Sequence, residues 1–562
     1  MGDSASRAIG QSTDSAAPGR LTRTAWAILL AYSGSLLLFA LGSARTLTGH
    51  EGHLAQVAQE MLDHGDWIVP RIAGRPWLQK PPLPHWCMAG ASWLAGELNE
   101  FTVRLPSALS GLLGVCLIAS LAARWYGSTH GLLVGLIQST TIYTVTYARL
   151  AESDIYLWVI VLFAIWMFAR HEVGGEGPRP HWMWPAAFCT VLGLTNMAKG
   201  PLFGMVLALA PCAAFVVLAR RWQALRWFVA PLGIALGAVI ALAWPLAILL
   251  QHPDAWPLWV EHTLGRLLSQ TALNPKPVWY YLTTWPWQVL PWTVLALLAM
   301  PASAGRAWRD PVGPDRFLWL WCLLPLLLLS IPSGKHHHYL IYALPPFAFW
   351  AADGLLRLRG LAMRMQSRVL IVAALFMGVW LPAALGVAAL RVAWPAHWVH
   401  GALLAFVAIA ALATLLALLV AGYRRSAVAT VFAAIWVIAG LAHSVWMPEQ
   451  DSYAAETAFL QRMKGLAVSG EKLVVYRIEP SRALLYCEEH LPYCTLPEEL
   501  RRICEDRTDL IILSSLAREN ELREVGRVTR IDEAPCHPRR GRGATWAAYR
   551  MTWTESVATA RR

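Results

Sequence analysis

The sequence predicts a polytopic α-helical membrane protein with a C-terminal α/β domain outside the membrane. Three observations carry this. Hydrophobic residues make up 56% of the 562 residues and charged residues only 15%, against roughly 25% charged in a soluble domain. Apolar runs of roughly 17 to 22 residues recur, the length a helix needs to cross a bilayer. After residue 447 those runs stop and charges become frequent. A net charge of +12 would suggest nucleic acid in a soluble chain, but here it is mostly a topology signal and no nucleic-acid partner is expected. The 30 tryptophans suit interfacial anchoring, since indole joins an apolar body to one N–H that stays wet.

Taken in order, residues 1–22 are small, polar and Ser/Gly-rich and read as a disordered cytoplasmic tail. Residues 23–447 form the membrane domain. Its first apolar run, 24–44, lacks a small-residue cleavage site and is read as an anchor. Further spans are predicted near 106–123, 131–147, 155–169, 183–196, 201–219 and 228–250, then near 286–303, 317–332, 339–356, 369–387, 400–421 and 428–447. The total is about 13. Arginines occupy alternate connections, from Arg124 and Arg170 to Arg424 and Arg425. By the positive-inside rule the N-terminus is cytoplasmic and residues 448–562 lie outside.

The loops expected on the outer side are 45–103 and 251–285. The first contains HEGHLAQVAQEMLDHGDWIVPRIAGRPWLQKPPLPHW, His50 to Trp86. Leu54, Val57, Met61 and Leu62 share one face at helical spacing, which predicts a short amphipathic helix. Glu51 with His50 and His53 opens the loop, and Lys80 closes it before two prolines. Before residue 460 the lysines are Lys80, Lys199, Lys276 and Lys335, all on the predicted outer side. Topology does not ask for positive charge there, so they read either as interfacial snorkelling residues or as a cage for an anionic ligand. Arg149 and Arg266 would add bidentate donors suited to phosphate.

Acidic residues share that side. Glu152 and Asp154 lie in RLAESD; Glu261 and His262 lie in the second loop. Ionisable groups at membrane depth are functional candidates by default. Glu51 also fits as a charge favoured by a helix N-terminus, and Ser153-Asp154 as a helix start. Lys335-His336-His337-His338-Tyr339 is the other dense stretch. His53, His337 and His262 are candidate ligands for a divalent metal ion such as zinc, the one cofactor left open. No Walker loop, metal-finger spacing or dinucleotide fingerprint is present.

In the tail, KLVVYR (472–477) and LIILSS (510–515) read as strands, and SRALLYCEEH and PEELRRICED as helices, giving a small α/β unit. Its cysteines Cys487, Cys494, Cys504 and Cys536 permit two disulfides in an oxidising compartment. Of the three pairings, Cys487–Cys494 with Cys504–Cys536 is the one expected here.

The first loop resembles that of the glycosyltransferase-C superfamily, and in particular bacterial protein O-mannosyltransferases and aminoarabinose lipid A transferases. RLPSAL (104–109), RLAESD (149–154), AKGP (198–201), the 261–282 run and GKHHHYLIYALPP (334–346) match in order. The resemblance covers essentially all of the membrane region. It implies an inverting transfer of a sugar, 4-amino-4-deoxy-L-arabinose or a related one, from polyprenyl (undecaprenyl) phosphate. The acceptor would be a hydroxyl or phosphate of lipid A, another envelope glycan or a protein, at the periplasmic face of a bacterial inner membrane.

By the same match Lys80, Lys199 and Arg266, with Arg149, hold the donor phosphate. Asp154 and Tyr339, with Lys335, His337 and Glu261, shape the sugar and acceptor pocket. The family's adjacent Asp-Glu is replaced here by His50-Glu51, and Glu51, with His50 beside it, is the expected catalytic carboxylate. A flippase for polyprenyl-linked lipid and a non-catalytic binder of lipid-linked sugars stay open as alternatives.

Overall fold

A computed structural model of the chain describes residues 19–174, 180–261, 275–357, 410, 414, 424–449, 451–469, 471–487, 491–505, 509–535 and 545–552. The membrane part begins with α1 (Arg23–Leu38), α2 (Gly49–His64), a hairpin of β1 (Arg71–Ile72) and β2 (Arg75–Pro76), and α3 (Leu83–Ala95). Then come α4 (Glu100–Tyr126), α5 (Ser128–Thr140), α6 (Ile142–Ala148) and α7 (Ser153–Glu172). The chain continues through α8 (Met183–Lys199), α9 (Phe203–Leu218), α10 (Pro231–Gln251) and α11 (Ala255–Val260). It ends in α12 (Tyr280–Gln288), α13 (Thr293–Arg309), α14 (Pro314–Ser330), α15 (Pro345–Arg357) and a helix at Arg424–Leu441.

Among the described residues four helices are long and apolar enough to cross a membrane by themselves, Glu100–Tyr126, Ser153–Glu172, Pro231–Gln251 and Ser426–Trp446. The number rises to six if each of two bent pairs counts as one span: α12 with α13, at 116°, and His337–Ala343 with α15, at 62°. The difference from the predicted 13 has local causes. The run at 131–147 is divided because Thr141 turns extended and caps α6 with its own hydroxyl, and α1 and α9 stop at 16 residues. The predicted spans 369–387 and 400–421 lie outside the described residues, apart from 410 and 414.

Helix α7 is the hub of the bundle, with Trp158 seated against Gly114 of α4. Helices α8 and α10 pack backbone to backbone. A Cβ added to Gly233 or Gly237 would meet the carbonyls of Ala186 and Cys189 at 2.2 and 2.6 Å, the small-residue packing that membrane helices use in place of a hydrophobic drive.

The amphipathic helix predicted in the first loop is α2. Thr48 and Glu51 cap its start reciprocally, and Gly65, in the left-handed conformation, ends it. Leu54, Val57 and Met61 are buried beneath it. The hairpin turns on Ala73 and Gly74, both left-handed, as a two-residue turn of this twist requires. The Gly74 N–H donates to Glu60 of α2 at 2.9 Å.

The C-terminal part is a five-stranded sheet of order β4-β3-β5-β7-β6, with β3 (Leu473–Tyr476), β4 (Tyr493–Cys494), β5 (Asp509–Ser515), β6 (Arg527–Pro535) and β7 (Thr545–Thr552). Strands β4, β3 and β5 run parallel; β7 is antiparallel to β5 and to β6. Alternate residues of β3 and β5 feed two cores. Leu473, Val475, Ile511 and Leu513 meet helices Ala454–Val468 and Ser481–Tyr486, whereas Val474, Tyr476 and Ile512 meet Pro497–Glu505 and Glu519–Val525. Both predicted strands and both predicted helices are present; β4, β6 and β7 were not predicted. Cys487 and Cys494 pack in different cores on opposite faces of the sheet, so the expected bridge between them does not form. Cys536 lies outside the described residues.

This domain grips the chain just before α2. Fully buried Arg482 donates to the Leu47 carbonyl, to Thr457 and, at 2.8 Å, to Glu456. Asp451 accepts from the Thr46 amide and hydroxyl, both at 2.8 Å. Tyr486 accepts from the Leu47 amide at 2.8 Å and donates to Glu100 of α4 at 2.7 Å. Replacing Arg482 by alanine strands the buried Glu456, and we expect a loss of about 3–5 kcal/mol. The check is the unfolding midpoint together with the rate of proteolysis between 448 and 453. An unchanged midpoint would contradict the docking role.

Candidate active site

The site forms where α2 lies across the starts of α4 and α7. Arg104, on the first turns of α4, is buried, and its guanidinium has every direction occupied. It donates to Glu51 at 2.8 and 3.2 Å and to the carbonyls of Leu41, Arg45 and Thr46 at 3.0–3.2 Å. Glu51 also accepts from the amides of Thr48 at 3.0 Å and Ala151 at 3.1 Å. One carboxylate thus ties together α2, α4 and the link that starts α7. Burial alone would raise its pKa, but Arg104, Arg45 and the amide donors outweigh it and hold Glu51 down at about 2.

One residue back on α2, His50 projects to the other side. The Lys80 ammonium, which has only donors, donates to His50 Nε2 at 2.9 Å. The ring proton therefore sits on Nδ1, which lies 3.8 Å from a Glu152 oxygen. Desolvation and the Lys80 charge push His50 below the usual histidine value, so the ring is neutral. Burial, then the like charges of Asp154 and Glu51, push the Glu152 carboxyl up to about 7, against Lys80 and Lys199. A carboxyl with a pKa near the working pH is suited to proton transfer. The sequence marks Glu152 as an ionisable candidate but assigns it no role in the site. Its signal was its place between the RLA and SD of a link that already drew attention.

Buried Asp154, in the first turn of α7, takes an ion pair from Lys199 at the end of α8. The Tyr342 hydroxyl donates at 3.4 Å to the oxygen that Lys199 holds, and His338 Nε2 lies 3.6 Å from the other. The Lys199 ammonium stands 4.2 Å above the Tyr339 ring, a cation–π contact. His337 bonds the Tyr147 hydroxyl at 2.9 Å. Successive histidines thus serve different partners.

Structure and sequence reading agree on some residues and part on others. His50, Lys80, Asp154, Lys199, His337 and Tyr339 come together at one end of the bundle. Arg149 does not join them. It donates to the carbonyls of Leu36, Leu37 and Phe39 at 2.7–3.1 Å, capping the end of α1. Lys335 is buried and donates to the Lys276 and Pro332 carbonyls. Glu261 is exposed just beyond α11. His53 faces Glu479 at 3.5 Å, toward the C-terminal domain. Arg266 and His262 lie outside the described residues. Among the described residues no three His, Cys, Asp or Glu side chains converge as a metal site would need.

Comparison with known proteins bears out the resemblance read from the loop motifs. Residues 79–244 match the family of dolichyl-phosphate-mannose-protein mannosyltransferases. The undecaprenyl phosphate-alpha-4-amino-4-deoxy-L-arabinose arabinosyl transferase of Edwardsiella ictaluri is 30% identical over 317 residues, 55% of this chain and 55% of that relative. The same-named protein of Pseudomonas savastanoi pv. phaseolicola is 31% identical over 354 residues, 61% and 63%. The chain thus matches little more than half the length of these relatives. The crystal structure of ArnT from Cupriavidus metallidurans bound to undecaprenyl phosphate superposes with a TM-score of 0.76 at 18% identity, over 94% of this chain and 98% of that one. The expected fold, an apolar helical bundle followed by a sheet-containing C-terminal region, is therefore the observed one, and that structure shares it.

The pair Glu51–Arg104 makes a prediction about stability. Because the Glu51 pKa is depressed when folded, its contribution is complete above about pH 4.5, its usual value, and is lost as pH falls through about 2. Glu51→Gln is expected to lower stability near neutrality by about 3–5 kcal/mol and to flatten the acid limb of the unfolding midpoint measured against pH. A variant as stable as wild type, with the limb intact, would show that the carboxylate does not hold this junction.

Proposed function

We propose that this protein is an integral-membrane, inverting glycosyltransferase that takes a sugar from polyprenyl phosphate. The sugar is 4-amino-4-deoxy-L-arabinose or a close relative, and the acceptor is a hydroxyl or phosphate of lipid A or another envelope glycan. One observation carries the reading. Two lysines, Lys80 and Lys199, and two carboxylates, Glu152 and Asp154, meet around His50 and Tyr339 at one end of an apolar bundle. Cations are needed where a phosphate departs, and a carboxylate where a hydroxyl loses its proton.

Each lysine now holds a protein partner that a phosphate can replace, Lys80 a neutral imidazole and Lys199 a carboxylate. Exposed Leu202, Trp279, Leu282 and Ile331, chain neighbours of the site, offer apolar surface to a polyprenyl tail. In the proposed step the acceptor oxygen attacks the anomeric carbon from the face opposite the phosphate. The bond to the phosphate oxygen breaks with its electron pair, which Lys80 and Lys199 stabilise, and the acceptor proton passes to Glu152. His50 holds Glu152 from one side and Lys80 from the other. Glu51, locked by Arg104, supports the junction and does not touch substrate. Lys80 and Lys199, without Arg149, form the phosphate cradle.

The opposite end of α7 carries Glu172 paired with Arg226 at 2.8 Å and Arg221 at 3.7 Å. By the positive-inside rule that end faces the cytoplasm and the site faces the periplasm of a bacterial inner membrane, with the N-terminus cytoplasmic.

Three outcomes follow. In cells lacking the protein, mass spectrometry is expected to show a polyprenyl-phosphate sugar accumulating and one envelope glycan losing that sugar, with rescue by wild type but not by Glu152→Gln. No change in either pool during expression would sink the transferase reading. In vitro, Glu152→Gln should lower turnover by about 10²–10⁴-fold. Wild-type rate should rise with pH to half its plateau near 7, because a carboxyl held up at about 7 becomes a base only above that value, and the variant should lack this limb. Lys80→Ala and Lys199→Ala should each cost about 10²–10³-fold in turnover; full activity in either would remove that lysine from the cradle.

A further inference from the structure

A cavity of about 710 Å³ lies between the first loop and the C-terminal domain, within the roughly 300–1,000 Å³ typical of small-molecule sites. Its floor follows from the topology. From β3 the chain crosses to β4 on one side and then to β5 on the other, and the two crossover helices, Ser481–Tyr486 and Pro497–Glu505, pack on opposite faces. The carboxyl end of β3 is therefore a topological switch point, where open α/β sheets bind ligands. The lining comes from there: Arg477 and Glu479 just past β3, Tyr493 and Thr495 at the end of β4, and Arg518 past β5. The first loop closes the other side with Arg75, Trp77 and His53.

The backbone is strained at this point. Arg477 has φ +52°, costly for a residue with a Cβ. It is kept there by the hydrogen bond its amide N–H donates to the Cys494 carbonyl at 2.9 Å and by a guanidinium pair with Glu521.

The chemistry of the wall selects a ligand class. Arg75 is paired with Glu499 at 3.0 Å, Arg518 with Glu521 at 2.9 Å, and His53 faces Glu479 at 3.5 Å. The three arginines share two carboxylates behind the lining, Glu499 and Glu521, and Glu479 stands on it, so each guanidinium reaches the cleft already paired and its pull on a bare anion is offset. A polyhydroxylated ring is different, since it donates to carboxylates and accepts from guanidiniums at once. The aromatic faces of Trp77 and Tyr493 suit its apolar C–H side. His53 lies three residues, about one helical turn, beyond His50 on α2.

We propose that this cleft binds the saccharide part of the acceptor and presents its reactive group to Glu152; the acceptor role rests on the transferase reading above. The test uses the full-length protein in detergent, with saturation-transfer NMR of a β-1,6-linked glucosamine disaccharide. Inorganic phosphate serves as competitor, and undecaprenyl phosphate binding is followed in parallel by native mass spectrometry. Wild type should bind the disaccharide saturably without displacement by inorganic phosphate. Arg477→Gly, which suits the left-handed backbone, and Tyr493→Leu should each weaken binding about tenfold or more, close to the loss of one good contact, while undecaprenyl phosphate binding persists.

Absence of saturable binding by wild type, or undiminished binding by both variants, would overturn the proposal. Displacement by inorganic phosphate would also overturn it, by making the cleft an anion site. Loss of undecaprenyl phosphate binding alone, in wild type, would instead overturn the transferase reading and the acceptor role with it, with the saccharide titration unaffected.

Discussion

The buried pair of Glu51 and Arg104 is the constraint on which the rest depends. Two charges leave water at that point, and they are tolerated because nearly every donor and acceptor finds a partner: three carbonyls before α2, and the amides of Thr48 and Ala151. The result is a fixed junction between α2, α4 and the start of α7. His50 and Glu152 are the immediate neighbours, along their own segments, of groups tied into that junction. A shift of α2 by a fraction of a turn would separate His50 from both Lys80 and Glu152. The C-terminal domain braces the same place from the far side through Arg482, Asp451 and Tyr486.

On this frame the electrostatics are divided by environment. Glu51, surrounded by donors, is held ionised. Glu152, half-buried beside two other acids, is pushed up to about 7. In the proposed reaction the first of these carboxylates is structural and the second is the base. The neutral imidazole between Glu152 and Lys80 keeps an ammonium from pairing directly with the carboxyl and so preserves its basicity. In the proposed reaction, this is how a chain with histidine at the first position of its His-Glu pair still offers a base.

Much of this was legible in the sequence, for physical reasons. Apolar run length reports on bilayer crossing, and lysines on the expected outer side draw notice because topology asks for no positive charge there. That draws Lys80 and Lys199, while Asp154 stands out as an acid in RLAESD and Tyr339 through the resemblance; the structure brings Lys199, Asp154 and Tyr339 into contact. The partners of Glu51 and Arg149 are not legible in the sequence, because a carboxylate at a helix start reads alike whether it serves substrate or a buried arginine. Only the fold shows that Arg104 is opposite Glu51 and that Arg149 ends on the carbonyls of α1. The sequence names Glu152 but gives it no role, because nothing local marks a raised pKa; it comes first from burial, then from Asp154 on the same link and from Glu51 on α2. Strands β6 and β7 went unread for a similar reason. RVTRIDEAP is polar along an edge, and its register is set by β7 rather than by its own pattern.

The central claim is that Lys80 and Lys199 form a single cradle for a polyprenyl phosphate, and a structure of the full-length protein with undecaprenyl phosphate tests it most directly. The account predicts phosphate oxygens within about 3 Å of both ammonium groups, with the Lys199–Asp154 and Lys80–His50 contacts loosened to admit them. A phosphate bound elsewhere, with both lysines keeping their present partners, would contradict it.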